Sequence, residues 1–248
     1  MNERVIPGCE PFAHEGGATG VVLLHGFTGN PISLRDWGAD LAERGYTVDC
    51  PRLPGHGTDW RDLAGRTARE WAEEADAALN RIRSRSEEVV VAALSFGGTL
   101  ALDLAARRGD EIRGLILVNP YVRDRRHALV PVARLFVRSV PGTGNDIKKP
   151  GPDELSYDRI PLRAVSEASR MMKTVRAALP SITTPLLVFR SAEDNVIPRD
   201  NGPYVVQHVG STDKDLVTLT DSYHVATMDN DAPRIFEESA AFIERVTA

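Results

Sequence analysis

Val89-Val90-Val91-Ala92-Ala93-Leu94-Ser95-Phe96-Gly97-Gly98 is the stretch on which the fold turns. Its first half is an uninterrupted apolar run, as in a strand buried on both faces, and from Phe96 to Arg107 the spacing of apolar residues becomes helical. A serine at such a junction rides a sharp strand-to-helix turn that projects its hydroxyl away from the sheet. The N–H of the following residue and the positive end of the helix then face any oxyanion formed there. Ser95 is therefore expected to be a nucleophile, and the chain a serine hydrolase. The usual pattern around such a serine is G-x-S-x-G, and here its first position is Ala93.

Working outward, the same strand and helix signals recur on both sides. Residues 20–24 (Gly-Val-Val-Leu-Leu), 46–50, 115–118, 186–190 and 216–219 read as strands, and residues 34–44, 71–82, 204–209 and 232–246 as helices. This alternation predicts an α/β domain with a mostly parallel sheet. After Pro120 the rhythm stops and resumes only at Pro185-Leu186-Leu187-Val188-Phe189. An interruption that long is not a simple loop. Residues 1–120 and 182–248 are read as the core and 121–181 as a small cap, with helical stretches at His127 to Val140 and Leu162 to Leu179; a helical excursion packed on the sheet is the other reading.

Composition narrows the field of functions. With 248 residues, 42% hydrophobic, 26% charged and a net charge of −5, the chain has the balance of a water-soluble globular domain. It lacks the basic footprint of a nucleic-acid binder. Cys9 and Cys50 are too few for a disulfide framework and read as ordinary thiols. The first residues lack the pattern of a secretory signal, and no apolar run reaches spanning length, so a cytoplasmic protein without stable membrane insertion is expected. The histidines are scattered, with no H-E-x-x-H and no Walker loop, so neither a metal nor another cofactor is expected.

A serine hydroxyl needs a base to take its proton and a carboxylate to orient that base. The run 186–190 leads into Ser191-Ala192-Glu193-Asp194, and the run 216–219 into Asp221-Ser222-Tyr223-His224. Asp194 and His224 are chosen over Glu193, Asp200 and Asp221 and over the other histidines because they follow strand ends, which gives the chain order Ser95, Asp194, His224. His25-Gly26-Phe27-Thr28-Gly29, after the first buried run, offers a second backbone donor. The N–H groups of Phe27 and Phe96 are the expected oxyanion donors, and their rings the walls of an acyl pocket, unless both are simply core aromatics.

On these segments the chain resembles the α/β-hydrolase superfamily, and within it the small bacterial carboxylesterases and monoacylglycerol lipases. The matching pieces are Leu24-His25-Gly26-Phe27-Thr28-Gly29-Asn30-Pro31, Leu53-Pro54-Gly55-His56-Gly57-Thr58, Leu94-Ser95-Phe96-Gly97-Gly98, Ser191-Ala192-Glu193-Asp194 and Ser222-Tyr223-His224-Val225-Ala226-Thr227. The resemblance implies an α/β-hydrolase fold with a helical cap, a Ser95-Asp194-His224 triad, and Phe27 and Phe96 as oxyanion donors. It also points to Glu154, in Asp153-Glu154-Leu155, as a group that meets glycerol hydroxyls; a solvated surface charge is the competing reading. The implied substrates are monoacylglycerols or short-to-medium acyl esters, with a thioesterase, a lactonase or a low-turnover receptor as alternatives. A monomer or weak homo-oligomer is expected, with transient lipid contact through the cap and its arginines, unless these line a solvated helix face.

Overall fold

A computed structural model describes residues 4–248. Its centre is a sheet of β1 (Phe12–His14), β2 (Thr19–Leu24), β3 (Thr47–Cys50), β4 (Glu88–Leu94), β5 (Gly114–Val118), β8 (Leu186–Ser191) and β9 (Lys214–Leu219), in the order β1-β3-β2-β4-β5-β8-β9. Every neighbouring pair is parallel except β1–β3. Between these strands lie α1 (Arg35–Glu43), α2 (Trp60–Ala64), α3 (Ala68–Arg83) and α4 (Phe96–Arg108). The later part carries α5 (Val130–Ala133), a separate antiparallel pair of β6 (Ser139–Pro141) and β7 (Arg159–Pro161), then α6 (Leu162–Ala178), α7 (Asn201–His208) and α8 (Ala232–Thr247).

The apolar runs have no alternation because both faces of the sheet are covered. Val22, Leu24, Val91, Ala93, Leu115 and Leu117 belong to one cluster, with Trp71, Leu79 and Leu100 from α3 and α4. Their sequence neighbours Val21, Leu23, Val90, Ala92 and Ile116 belong to the other, with Trp37, Leu41 and Ile243 from α1 and α8. Side chains alternate between the faces, so each strand contributes to two cores.

The chain leaves β2 toward β3 on one side and returns to β4 on the other. A crevice opens outside the carboxyl ends of strands where the order reverses in this way. The loop after β2 and Ser95 at the end of β4 stand together there.

Within residues 121–181 the two predicted helical stretches have different fates. The second is α6, whose Ala164, Ala168, Met172 and Val175 pack into the cluster that holds α3 and α4. The first is not one helix: a 3-10 turn at Arg125–Leu129, the single turn α5 and then β6 occupy it. Leu129, Val130, Val132, Ala133, Leu135, Phe136 and Val137 surround the helical axis instead of lining one stripe, and no neighbour covers them all. Leu135 is 73% exposed and Phe136 83%.

Candidate active site

Ser95 sits at the tip of the turn from β4 to α4 with φ 56° and ψ −119°. Positive φ is costly for a residue with a Cβ, on the order of 1–3 kcal/mol, and persists only where the surroundings impose it. Here the Ser95 N–H donates to Val118 O at 2.9 Å, and its own carbonyl accepts from Gly98 at 2.9 Å and Tyr121 at 3.0 Å. Two residues on, position 97 must be glycine, since a Cβ on Gly97 would lie 2.0 Å from Leu24 O. Ala93 enters the elbow without disturbing it: fully buried, it pairs with Leu24 across β2 and β4.

The structure brings Ser95, Asp194 and His224 together in one buried line. Ser95 Oγ lies 2.8 Å from His224 Nε2, and His224 Nδ1 lies 2.7 Å from Asp194 Oδ2. The other Asp194 oxygen accepts the N–H groups of Val196 and Ile197, both at 2.9 Å. An ionised Asp194 can only accept at Oδ2, so the imidazole proton belongs on Nδ1, and Nε2 is free to accept from the serine hydroxyl. Burial works to raise the Asp194 carboxyl, but the facing imidazole and the two N–H groups outweigh it and hold its pKa below the usual value. Burial likewise opposes a charged His224, and Asp194, with Glu154 and Asp146, overcomes it and raises the imidazole. The rival carboxylates are engaged elsewhere: Glu193 and Asp221 with Lys148, and Asp200 with Arg123.

Gly26 is packed against the nucleophile, a Cβ there falling 3.2 Å from Ser95 Cβ. Among the described residues, neither the Phe27 nor the Phe96 N–H donates to a protein acceptor. The two rings behave differently from the expectation that both wall an acyl pocket. Phe27 lines the cavity, whereas Phe96 is fully buried beneath it, edge-on to Trp71 at 5.4 Å and to Phe27 at 5.6 Å. The helix that starts at Phe96 turns that ring into the core. His25 and His56 support the floor: His25 Nε2 accepts the Leu53 N–H at 3.0 Å, and its Nδ1 lies 3.0 Å from Gly26 O.

Above Ser95 lies a cavity of about 340 Å³, lined on one side by Val130, Val140, Ile160, Leu162, Val165 and Met172 from the stretch between β5 and β8. Its walls are mostly apolar, with Asp124, Arg126 and His127 among them and Glu154 near Ser95 and His224. Glu154 is thus not a solvated surface charge. Burial pushes its pKa up to about 7, against the lowering pull of His224 and a hydrogen bond from Ser156. The acidic loop is tied to the floor: Asn30 Nδ2 donates to Glu154 O at 2.7 Å, and the Tyr157 N–H donates to Thr28 O at 3.3 Å.

Some supporting groups escape a sequence reading. Asn119, at the end of β5, donates from Nδ2 to His224 O at 2.8 Å and accepts the Ser191 N–H at 2.7 Å. Its signal is a polar residue directly after a buried strand. Among the described residues, no group of three or more His, Cys, Asp or Glu is placed to hold a metal, and no helix is long and apolar enough to cross a membrane. Cys9 and Cys50 are buried free thiols.

Comparison with known proteins identifies the family. Residues 18–231 match the family model described as serine aminopeptidase, S33. The chain is 38% identical to the thermostable monoacylglycerol lipase of Bacillus sp. (strain H-257) over 99% of both chains. It is 26% identical to a carboxylesterase of Bacillus subtilis (strain 168), over 96% of this chain and 97% of that one. A solved structure from work on the metagenome-derived lipolytic enzymes LipS and LipT superposes with a TM-score of 0.94 at 36% identity, covering 98% of this chain and all of that one. The chain belongs to the serine aminopeptidase S33 family of α/β hydrolases, alongside bacterial carboxylesterases and monoacylglycerol lipases.

Proposed function

We propose that the protein is a serine carboxylic-ester hydrolase acting on monoacylglycerols or short-to-medium acyl esters, through an acyl-enzyme on Ser95. The observation that carries this reading is the unbroken line from Ser95 Oγ to His224 at 2.8 Å and from His224 to Asp194 at 2.7 Å, set beneath an apolar cavity. His224 Nε2 takes the Ser95 proton as Oγ attacks the ester carbonyl. The carbonyl oxygen becomes an oxyanion facing the Phe27 and Phe96 N–H groups, each worth ~3 kcal/mol in such sites. His224, now charged and supported by Asp194, gives its proton to the departing alkoxide. Water then enters by the same route in reverse: His224 deprotonates it, it attacks the acyl carbonyl, and Ser95 leaves with the proton.

The apolar wall suits an acyl chain, and Glu154 offers an acceptor to the hydroxyls of a glycerol leaving group. Residues 121–181 act as the cap over a core of 1–120 and 182–248. The exposed Leu129, Val132, Leu135 and Phe136, flanked by the exposed Arg125 and Arg126, give that cap a transient contact with an anionic lipid surface. The monoacylglycerol lipase at 38% identity supports the substrate class.

The test is hydrolysis of a p-nitrophenyl ester by the wild type and Ser95→Ala. Turnover should fall by at least about a thousandfold in the variant. A wild type without turnover would falsify the reading. A 1-monoacylglycerol should be cleaved faster than a diacylglycerol of the same chain length, and the reverse order would sink the substrate class.

A further inference from the structure

A short strap in the insertion, between β6 and β7, reaches both loops that carry the acid and the base. Asp146 Oδ2 accepts the backbone N–H of His224 at 3.1 Å and that of Asn195, the residue after Asp194, at 3.2 Å. Its Oδ1 accepts Asn195 Nδ2 at 2.9 Å, and its own carbonyl accepts the Val225 N–H at 3.1 Å. One half-buried side chain thus spans two loops that leave different strands. Its sequence neighbour Asn145 accepts the Glu154 N–H at 3.1 Å and donates to Pro152 O at 2.8 Å. The strap is sewn down again where the N–H groups of Lys148 and Lys149 donate to Asp229, at 2.7 and 2.8 Å.

We propose that Asp146 is a positioning residue for this site: its carboxylate holds the Asp194 and His224 loops in register, and its charge favours the imidazolium that forms during turnover. The proposal rests on the roles given above to Ser95, Asp194 and His224. Two features separate it from an ordinary loop contact. The bonds fall on the backbone of the base itself and on the residue next to the acid, so a shift of the strap moves both. The carboxylate also adds a negative charge to a buried imidazole. His224 is faced by Asp194 from the loop after β8 and by Glu154 and Asp146 from the insertion. The nearby cations are already paired, Arg126 with Asp124 and Lys148 with Glu193 and Asp221. Asp229 is occupied by N–H groups of the strap and of Tyr223.

The loss of each effect is separable. In Asp146→Asn one amide oxygen still accepts both backbone N–H groups, and rotation of the Asn195 amide restores the third bond, so the clamp survives and the charge is lost. In Asp146→Ala both go. The measurement is the titration of the His224 ring by NMR, assigned by its absence in His224→Gln, together with kcat and KM for a p-nitrophenyl ester across pH.

The Asn variant should move the His224 titration down by about half a unit or more and lower the plateau kcat, by less than the Ala variant does. The Ala variant should lose kcat by about tenfold or more, with KM little changed, as the base drifts from its working position. A His224 titration that is the same in wild type and Asp146→Asn overturns the proposal, whatever the rates do. If Asp146→Ala does not fold, Asp146→Ser, whose shorter side chain cannot span both loops, takes its place, and an unchanged kcat there overturns the clamp. A displaced titration in a protein with no ester turnover would support the placement of Asp146 and sink the hydrolase reading.

Discussion

The side chain of Asn30 joins the floor of the cavity to its acidic wall, its Nδ2 donating to Glu154 O at 2.7 Å while its Oδ1 accepts the Ile32 N–H at 3.0 Å. The loop that carries the Phe27 N–H and the loop that carries Glu154 are therefore one unit. Asn30 caps the short 3-10 helix Pro31–Leu34, so Asn30→Ala should cost about 1–2 kcal/mol of stability, from the lost cap and the stranded carbonyl. It should also raise KM for a monoacylglycerol more than for a p-nitrophenyl ester, whose leaving group has no hydroxyls for Glu154. Equal KM changes for the two substrates would argue against a recognition role for the acidic loop.

The pH dependence follows from the neighbours of His224. The reaction needs a neutral imidazole, and a histidine with a raised pKa stays protonated to higher pH, so the acid limb of kcat/KM should be centred above the ordinary 6.5. Glu154, with a pKa of about 7, titrates in the same window, so the limb reports the coupled groups together. Glu154→Gln removes one negative neighbour of His224 and should move the limb to lower pH. A limb that moves up, or not at all, contradicts this assignment.

The elbow makes a prediction about folding. A methyl group on Gly97 would fall 2.0 Å from the Leu24 carbonyl oxygen, a backbone atom fixed in the middle of the sheet. Gly97→Ala should destabilise the protein by about 3 kcal/mol, read as a lower urea midpoint at unchanged slope. A variant as stable as the wild type would mean that β2 and α4 can separate locally.

The exposed apolar face of the insertion should matter only on lipid. Leu135 and Phe136 are 73% and 83% exposed, so replacing both with Ser should change stability by less than about 0.5 kcal/mol per site. Hydrolysis of a water-soluble ester should be untouched, and hydrolysis of a monoacylglycerol carried in anionic vesicles slowed. Equal rates on vesicles would remove the lipid contact from the proposal.

The strands β2, β4, β5 and β8 were legible because burial on both faces writes them as continuous apolar runs, and Ser95, Asp194 and His224 because each stands at the end of a strand. The pieces that escaped lack such a signature. β1 is an edge strand of three residues with an exposed histidine, and α2 is a single short turn. The stretch from His127 to Val140 read as helical because apolar residues are dense there, but density without a stripe gives a helix no face to bury. Asp146 was invisible for another reason. Its partners, Asn195 and His224, lie far along the chain, and an aspartate in a loop rich in Gly, Pro and Lys looks like any solvated turn residue.

The strap from Asn145 to Lys149 also bears on how such enzymes can be rebuilt. A lid that merely rested on the core could be exchanged among relatives to change substrate range, leaving the chemistry below untouched. Here the roof and the machinery share stitches, so a transplanted roof would have to bring its own acceptor for the His224 and Asn195 amides, or the graft would loosen the site it was meant to retune.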